Sequence, residues 1–197
     1  MTGDLRSKDL TFVAVMAALG NVLSFISIHL APLIPSIPLG PVTVSLAIDL
    51  SHLATFIAAL FGGPVIGGAT GLIGGLVGAF EFGFSKGNLI TGFGLPLGKA
   101  MTGVAAGLVM TRMKVINNRL MTVVATVIAY IPEGLFTALL FMTIFPLFTG
   151  LPHAIAATIT IQIIVKAFIE MIIMGLIIAG LMGNRGFASY MKGVFPH

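Results

Sequence analysis

The chain has 197 residues, of which 57% are hydrophobic and only 8% are charged. Soluble domains carry about 25% charged residues, so this composition, with a mean hydropathy of +1.13, excludes a soluble globular protein and predicts one embedded in a lipid membrane. The net charge of +4 comes without a basic run, which excludes nucleic acid as an expected partner. The absence of cysteine excludes disulfides and thiolate chemistry.

Taken in chain order, six apolar segments predict membrane-spanning helices. Each has roughly the 20 residues that cross a hydrocarbon core about 30 Å thick at about 1.5 Å per residue, although the second is short. The predicted helices cover residues 10–30, 45–61, 64–84, 88–111, 120–147 and 154–182. No shift in composition marks a linker, so we predict an all-α bundle forming a single domain over residues 1–197.

Lysine and arginine concentrate on one side of this predicted bundle. Seven of them lie before the first helix, between the fourth and fifth helices, and after the sixth: Arg6, Lys8, Arg112, Lys114, Arg119, Arg185 and Lys192. The opposite loops carry only Lys86. The positive-inside rule therefore predicts a multi-pass protein of the cell membrane with both termini in the cytoplasm.

The first predicted outer loop has a proline at every third position. These residues are Pro32, Pro35, Pro38 and Pro41. This spacing stacks the rings along one edge of a polyproline II helix, which is stiff and lacks internal hydrogen bonds. Such a segment is either a rigid connector or a lid over a pocket that opens to the outside.

Two predicted helices have faces of small residues, which allow another backbone to approach closely in lipid. On the third helix this face consists of Gly67, Gly71, Gly74, Gly75 and Gly78. On the first helix it consists of Ala14, Ala17, Ala18, Asn21 and Ser24. The glycine face favours close packing within the bundle. The face on the first helix can pack inside the bundle or against a second protein.

Six charged residues lie inside the apolar segments, where a charge at mid-bilayer costs about 2.5–3.5 kcal/mol and normally faces a cavity or a partner. They are Asp49, Glu81, Lys99, Glu133, Lys166 and Glu170. On the sixth helix, Thr158, Gln162, Lys166 and Glu170 recur every fourth residue and share one face. By depth, Asp49 and Glu81 are expected near the outer mouth and Glu170 in the cytoplasmic half, with the remaining three charges near the middle.

This pattern predicts a polar pocket that opens to the outside. The candidate substrate contacts are Lys166, Gln162, Glu133, Tyr130, Lys99, Asn88 and Asp49. An alternative is a core of structural ion pairs, Lys166 with Glu170 and Lys99 with Glu133, in a membrane scaffold that binds no small molecule. A second alternative is an autonomous proton-coupled carrier that uses Asp49, Glu133 and Glu170 as a relay.

Signatures of catalysis are absent from the sequence. There is no G-x-S-x-G elbow, no H-E-x-x-H pair and no phosphate-binding G-x-x-x-x-G-K-[ST] loop, so we expect neither an enzyme nor direct coupling to ATP. His52 has no second histidine or cysteine at metal-ligand spacing, and we expect no metal site and no cofactor.

Several of these features together resemble the substrate-binding S components of energy-coupling factor (ECF) transporters. They are six helices in about 200 residues, an Ala14-x-x-x-Ala18 first helix after a cytoplasmic N-terminus, and a proline-rich outer loop. The passage from Asp49-Leu-Ser-His-Leu53 to Phe61-Gly-Gly-Pro-Val-Ile-Gly67 and the central Lys166 are similar to the riboflavin-type branch. Ile163 stands where that branch has an asparagine.

The resemblance implies a function and a set of partners. Ala14 and Ala18 would contact the transmembrane coupling (T) subunit, and a pair of ABC-type ATPases bound to that subunit would drive uptake. A vitamin or related small metabolite, with riboflavin as the first candidate, would bind in an outward-facing pocket formed by the first loop and helices four to six. The segment from Pro32 to Pro41 would act as the gate of this pocket.

Overall fold

The structure is a computed structural model that describes residues 7–39, 42–45, 47–113, 115 and 118–194. Its regular elements are α1 (Ser7–Leu30), β1 (Ser36–Leu39), β2 (Val42–Ser45), α2 (Ser51–Gly74), α3 (Leu76–Phe82), α4 (Leu89–Met113), α5 (Arg119–Leu139), α6 (Phe145–Thr149), α7 (His153–Gly183) and α8 (Arg185–Val194). Short 3-10 turns occupy Ala31–Leu33 and Phe84–Lys86, and a π turn at Leu140–Ile144 joins α5 to α6.

Five helical stretches in the described part of the chain are long and apolar enough to cross a membrane. They are Ser7–Leu33, Ser51–Lys86, Leu89–Met113, Arg119–Thr149 and His153–Gly183. The prediction of a helical multi-pass protein is therefore confirmed, whereas the count of six helices is not, because the predicted second and third helices merge into one stretch. The cytoplasmic placement of the termini stays a prediction.

The merged stretch bends back on itself at Gly63. This residue has φ +77° and ψ −171°, a conformation that a side chain would strain, and Pro64 follows it without an N–H donor. A Cβ atom placed on Gly67 would lie 2.6 Å from the Cβ of Ala59. In a straight helix these residues would be about 12 Å apart along the axis, so limbs 51–62 and 64–74 of α2 lie side by side.

The first limb of α2 begins level with the middle of α1. A Cβ atom on Gly20 would lie 3.5 Å from the Ser51 carbonyl oxygen and 3.6 Å from the Gly74 Cα. The Leu50 N–H donates to the Ser27 hydroxyl at 3.3 Å. The chain thus enters the interior of the bundle before α2 starts. A helix starting at residue 45 was a wrong prediction, because Ser45 belongs to β2 and the helix starts at Ser51.

A small β-hairpin precedes α2 and departs from the predicted all-α fold. Strands β1 and β2 are antiparallel, with Ser36 opposite Ser45, and β2 packs against α7. The polyproline II prediction is wrong at Pro32 and at Pro38. Pro32 lies in a 3-10 turn, and Pro38 lies in β1, where strand pairing supplies hydrogen bonds that polyproline II lacks. Pro35 precedes β1 without regular structure, and Pro41 lies outside the described residues.

Helix α4 is central: it packs against α2, α3 and α5, and α5 packs in turn against α7. Its contact with α2 is backbone against backbone. A Cβ atom on Gly71 would overlap the Lys99 carbonyl, and one on Gly103 would overlap the Gly67 carbonyl. We call Gly67, Gly71, Gly75 and Gly103 the glycine seam. The prediction that the glycine face serves close packing is confirmed.

Candidate functional site

Polar side chains from four parts of the chain converge in the interior of the bundle. They come from the start of α2 and the residues before it, and from the middle of α4, α5 and α7. We call this group the polar cluster; it comprises Asp49, Ser51, His52, Lys99, Thr102, Glu133, Lys166 and Glu170. Proline interrupts the hydrogen bonding of α4 and α5 at Pro96 and Pro132, one turn or less before Lys99 and Glu133.

Glu133 is a buried carboxylate with two partners. Its Oε2 atom accepts a hydrogen bond of 2.5 Å from the Thr102 hydroxyl and lies 3.1 Å from His52 Nε2. The absence of a side chain on Gly98 makes room for it, since a Cβ there would lie 3.1 Å from Glu133 Cγ. An unpaired carboxyl group in an apolar interior would be very costly, so these two contacts offset the cost of burying Glu133.

Lys99 pairs with the residues that open α2. Its ammonium donates to the Ser51 hydroxyl and lies 3.6 Å from Asp49 Oδ2. Asp49 Oδ1 also accepts the Ser51 N–H at 2.9 Å, which satisfies the first N–H group of α2. The pairing of Lys99 with Glu133, which belonged to the alternative of a structural ion-pair core, is therefore not observed. The chain enters the bundle before α2 and brings Asp49 to Lys99, and Glu133 instead contacts His52 and Thr102.

Lys166 and Glu170 form the predicted pair one helical turn apart, with 3.2 Å between Nζ and Oε1. The same Oε1 atom accepts the Asp49 backbone N–H at 2.8 Å. Asp49 and Glu170 are thus in contact, which corrects the prediction that they lie at opposite depths. The side chain of Lys166 is 33% exposed and that of Asp49 32%, against 6% for Lys99 and 10% for Glu170. Lys166 and Asp49 are the most exposed of these four charged residues, and we call them the open groups.

The remaining predicted contacts are Tyr130, Gln162 and Asn88, and only the first two lie near the polar cluster. Tyr130 is buried, with its ring edge-on to His52 at 6.5 Å and to Phe168 at 5.7 Å between centroids. Gln162 is half-buried on α7, one turn before Lys166. Asn88 is not brought to the cluster: it lies about 16 Å before Lys99 along α4, and its side-chain oxygen accepts the Thr91 N–H at 3.1 Å. Glu81, on α3, also has no described contact with the cluster.

Ser51, His52 and Thr102 were not among the predicted substrate contacts. Thr102 follows Lys99 by three residues and therefore shares its helix face, which is the signal that could have found it. The partners of Ser51 and His52 had no such signal, because they lie 48 and 81 positions away in the chain. Among the described side chains, no group of three or more histidine, aspartate and glutamate residues forms a metal site.

The small-residue face of α1 divides into an inner and an outer part. Val13, Ala17, Gly20 and Ser24 are buried. Ala14 and Ala18 are exposed on the surface of the bundle. Asn21 fixes this rotation of α1, since its side chain donates to the Ile73 carbonyl at 2.9 Å and accepts the Val77 N–H at 3.0 Å.

The chain matches known proteins at the level of family and fold. The family model "ECF transporter, substrate-specific component" matches residues 8–182. The chain is similar to the crystal structure of the S-component for biotin from an ECF-type ABC transporter, with a TM-score of 0.56 and 20% identity over 97% of this chain and 99% of that one. Identity at this level shows the fold alone. No curated protein matches significantly. Since the family model covers most of its length, this chain belongs to the substrate-specific components of ECF transporters.

Proposed function

We propose that the protein is the substrate-binding subunit of an ATP-driven ECF importer and captures a vitamin or related small metabolite at the polar cluster. The observation that carries this proposal is the accessibility of Lys166 and Asp49, whose side chains are 33% and 32% exposed beside charges that are otherwise buried. Charged groups inside membrane proteins mark binding sites and transport pathways. A substrate reaching this face meets one ammonium and one carboxylate.

This pair of groups favours a substrate with both hydrogen-bond acceptors and donors. Riboflavin and biotin each carry ring carbonyl oxygens, which suit Lys166, and ring N–H groups, which suit Asp49. Riboflavin is the candidate from the sequence resemblance, and biotin is the substrate named for the similar solved structure. Gln162 lies one turn from Lys166 and is a further proposed contact, while Glu133, Lys99 and Tyr130 would form the polar floor. Asn88, away from the cluster, would contact only a distal part of the substrate.

The proposed gate is the segment from Pro32 to Pro41 in the first loop, residues 31–50. Strand β2 of this loop packs against α7, the helix that carries Lys166, so the loop lies beside the open groups. Within it, Pro32 and Pro35 are the described prolines without strand structure, and each restricts its own backbone. We propose that these residues, with Pro38, keep the loop stiff enough to open and close as a unit; Pro41, the remaining proline of the predicted gate, lies outside the described residues.

The proposed topology has six crossings. The two limbs of α2 run side by side in opposite directions, so the stretch Ser51–Lys86 would contribute two passes. The number of passes is then even, and both termini would lie in the cytoplasm with the seven cations noted above. The exposed Ala14 and Ala18 would contact the transmembrane coupling subunit, to which a pair of ABC-type ATPases would bind.

The proposal is tested by measuring binding to the purified protein. Native mass spectrometry in mild detergent should show a small metabolite that co-purifies, and titration with riboflavin and with biotin should identify the one that binds. Lys166→Met should weaken that binding about tenfold or more, the value of a charge-assisted hydrogen bond, while the exposed Lys86→Met should leave it unchanged.

Two outcomes would contradict the proposal. Equal affinity of the Lys166→Met and Lys86→Met variants would remove Lys166 from the site. Substrate uptake into liposomes that contain this chain alone, without an ATPase, would favour the proton-coupled carrier with Asp49, Glu133 and Glu170 as its relay.

A further inference from the structure

Glu170 is the point at which the open cation and the end of the first loop meet. Its Oε1 atom lies 3.2 Å from Lys166 Nζ and accepts the Asp49 N–H at 2.8 Å. Lys166 belongs to the same helix as Glu170, whereas Asp49 lies 121 positions earlier in the chain. The Glu170 side chain is only 10% exposed, so water offers few alternative partners and the two donors share one oxygen.

The residues that end the loop also open α2, and their N–H groups have no acceptor within the helix. Each is satisfied from a different source: Leu50 N–H by Ser27 on α1, Ser51 N–H by the Asp49 side chain, and Asp49 N–H by Glu170 on α7. Ser27 and Glu170 are therefore the acceptors from other elements that hold this turn in place. Glu170 differs from Ser27 because it is also paired with a lysine that is open to a ligand.

We propose that Glu170 is a positioning residue that couples occupation of the substrate site to the anchoring of the turn at residues 49–51. When an acceptor group of the substrate draws the Lys166 ammonium away, Glu170 Oε1 loses one of its two donors. Its charge then acts on the remaining donor, Asp49 N–H, and in a poorly hydrated interior that hydrogen bond strengthens. The end of the loop is consequently held more firmly when the site is occupied.

This inference rests on the proposed function for the presence of a substrate at Lys166, and it adds a requirement on the substrate. A carboxylate or carbonyl oxygen can compete with Glu170 for the ammonium, and such a substrate tightens the loop. A purely cationic or apolar molecule cannot compete, so it would leave the Lys166–Glu170 pair intact and the loop as it is.

The test needs no substrate, because Lys166→Met removes the competing donor permanently. Hydrogen exchange is measured by mass spectrometry on the full-length protein in detergent, at the amides of residues 47–50. We expect Lys166→Met to slow exchange there about threefold, a fraction of the value of one charged hydrogen bond, and Lys86→Met to have no effect. If the Lys166–Glu170 pair were only structural, removing it would loosen α7, and exchange at residues 47–50 would become faster. Unchanged or faster exchange in Lys166→Met overturns the proposal.

Variants of Glu170 separate its two roles. Glu170→Leu removes the acceptor, and exchange at residues 47–50 should become about tenfold faster. Glu170→Gln keeps an acceptor oxygen but no charge, so exchange should stay near the wild-type rate, and adding Lys166→Met should then slow it no further. Suppose that Lys166→Met slowed exchange in the Glu170→Gln background as much as it does in the wild-type protein. Glu170 would then not mediate the effect. This comparison decides the matter even if Glu170→Leu fails to fold, and it is independent of whether riboflavin or biotin binds.

Discussion

The glycine seam and the polar cluster meet at Lys99 but hold the helices together in different ways. The backbone carbonyl of Lys99 is packed under Gly71, while its side chain reaches Asp49 and Ser51 in the cluster. In the seam, helices associate through close backbone packing, which is a main source of cohesion where lipid is as apolar as the side chains. In the cluster, elements are joined by ion pairs and hydrogen bonds. The packing of α4 against α2 in the seam therefore sets where Lys99 lies relative to the other side chains of the cluster.

The two regions also differ in how they can respond to change. The seam has no side chain that could move aside, so an added atom meets the backbone directly. The cluster consists of side chains that can exchange partners, as the shared oxygen of Glu170 illustrates. We therefore expect substitutions in the seam to affect folding most, those in the cluster to affect stability less, and those on the outer face of α1 to affect only assembly.

The largest expected effect is that of Gly71→Ala. Its new methyl group would overlap the Lys99 carbonyl, and relieving the overlap would separate α2 from α4. We expect a loss of about 3 kcal/mol in the free energy of unfolding, or failure to fold. Gly180→Ala is the matched control, because a Cβ there meets no atom within 4 Å. Thermal unfolding in detergent measures both, and equal midpoints would show that the seam is not tightly packed.

A smaller effect is expected for Glu133→Leu. This change leaves the Thr102 hydroxyl and His52 Nε2 without their buried partner, which we expect to cost about 2 kcal/mol in the free energy of unfolding. Glu81→Leu is the control, since Glu81 is half-buried on α3 outside the cluster. Both are compared with wild type by thermal unfolding in detergent. If the two variants lose the same stability, the contacts of Glu133 are not what stabilises the cluster.

The smallest effect on stability is expected for the double variant Ala14→Leu and Ala18→Leu. Both residues are exposed, so stability should change by less than about 0.5 kcal/mol and substrate affinity should not change. Co-purification with the coupling subunit should nevertheless be lost, because leucine prevents the close helix approach that alanine allows. Ala154→Leu, at another exposed alanine, should retain co-purification. Unfolding of the double variant would instead place this face inside the bundle.

Much of the fold could be predicted from the sequence because helix formation in lipid is a local property. The predicted segments 88–111 and 154–182 differ from α4 and α7 by only one or two residues at each end. The packing role of the glycine face and the Lys166–Glu170 pair follow from helical periodicity, which places neighbouring turns on one face. The polar interior could be predicted for the same reason, since charges in apolar segments require partners.

The partners within that interior could not be predicted, because they join distant parts of the chain. Asp49 contacts Glu170 across 121 positions, and His52 contacts Glu133 across 81. Both contacts depend on where the chain enters the bundle before α2. Apolar character alone extended the second helix back to Ser45, although the structure has a strand there. That error placed Asp49 at the outer mouth, away from Lys99 and Glu170.

By itself, the sequence determined that this protein is a helical membrane protein with a polar interior, and its motifs indicated the ECF transporter family. These properties depend on composition and on periodicity within single segments. The tertiary structure decided which charges pair, which of them stay open, and that Ala14 and Ala18 face outward while Ala17 faces inward. Helical periodicity predicts which residues of one helix share a face. Only the packed fold sets the height along the helix at which another segment contacts that face.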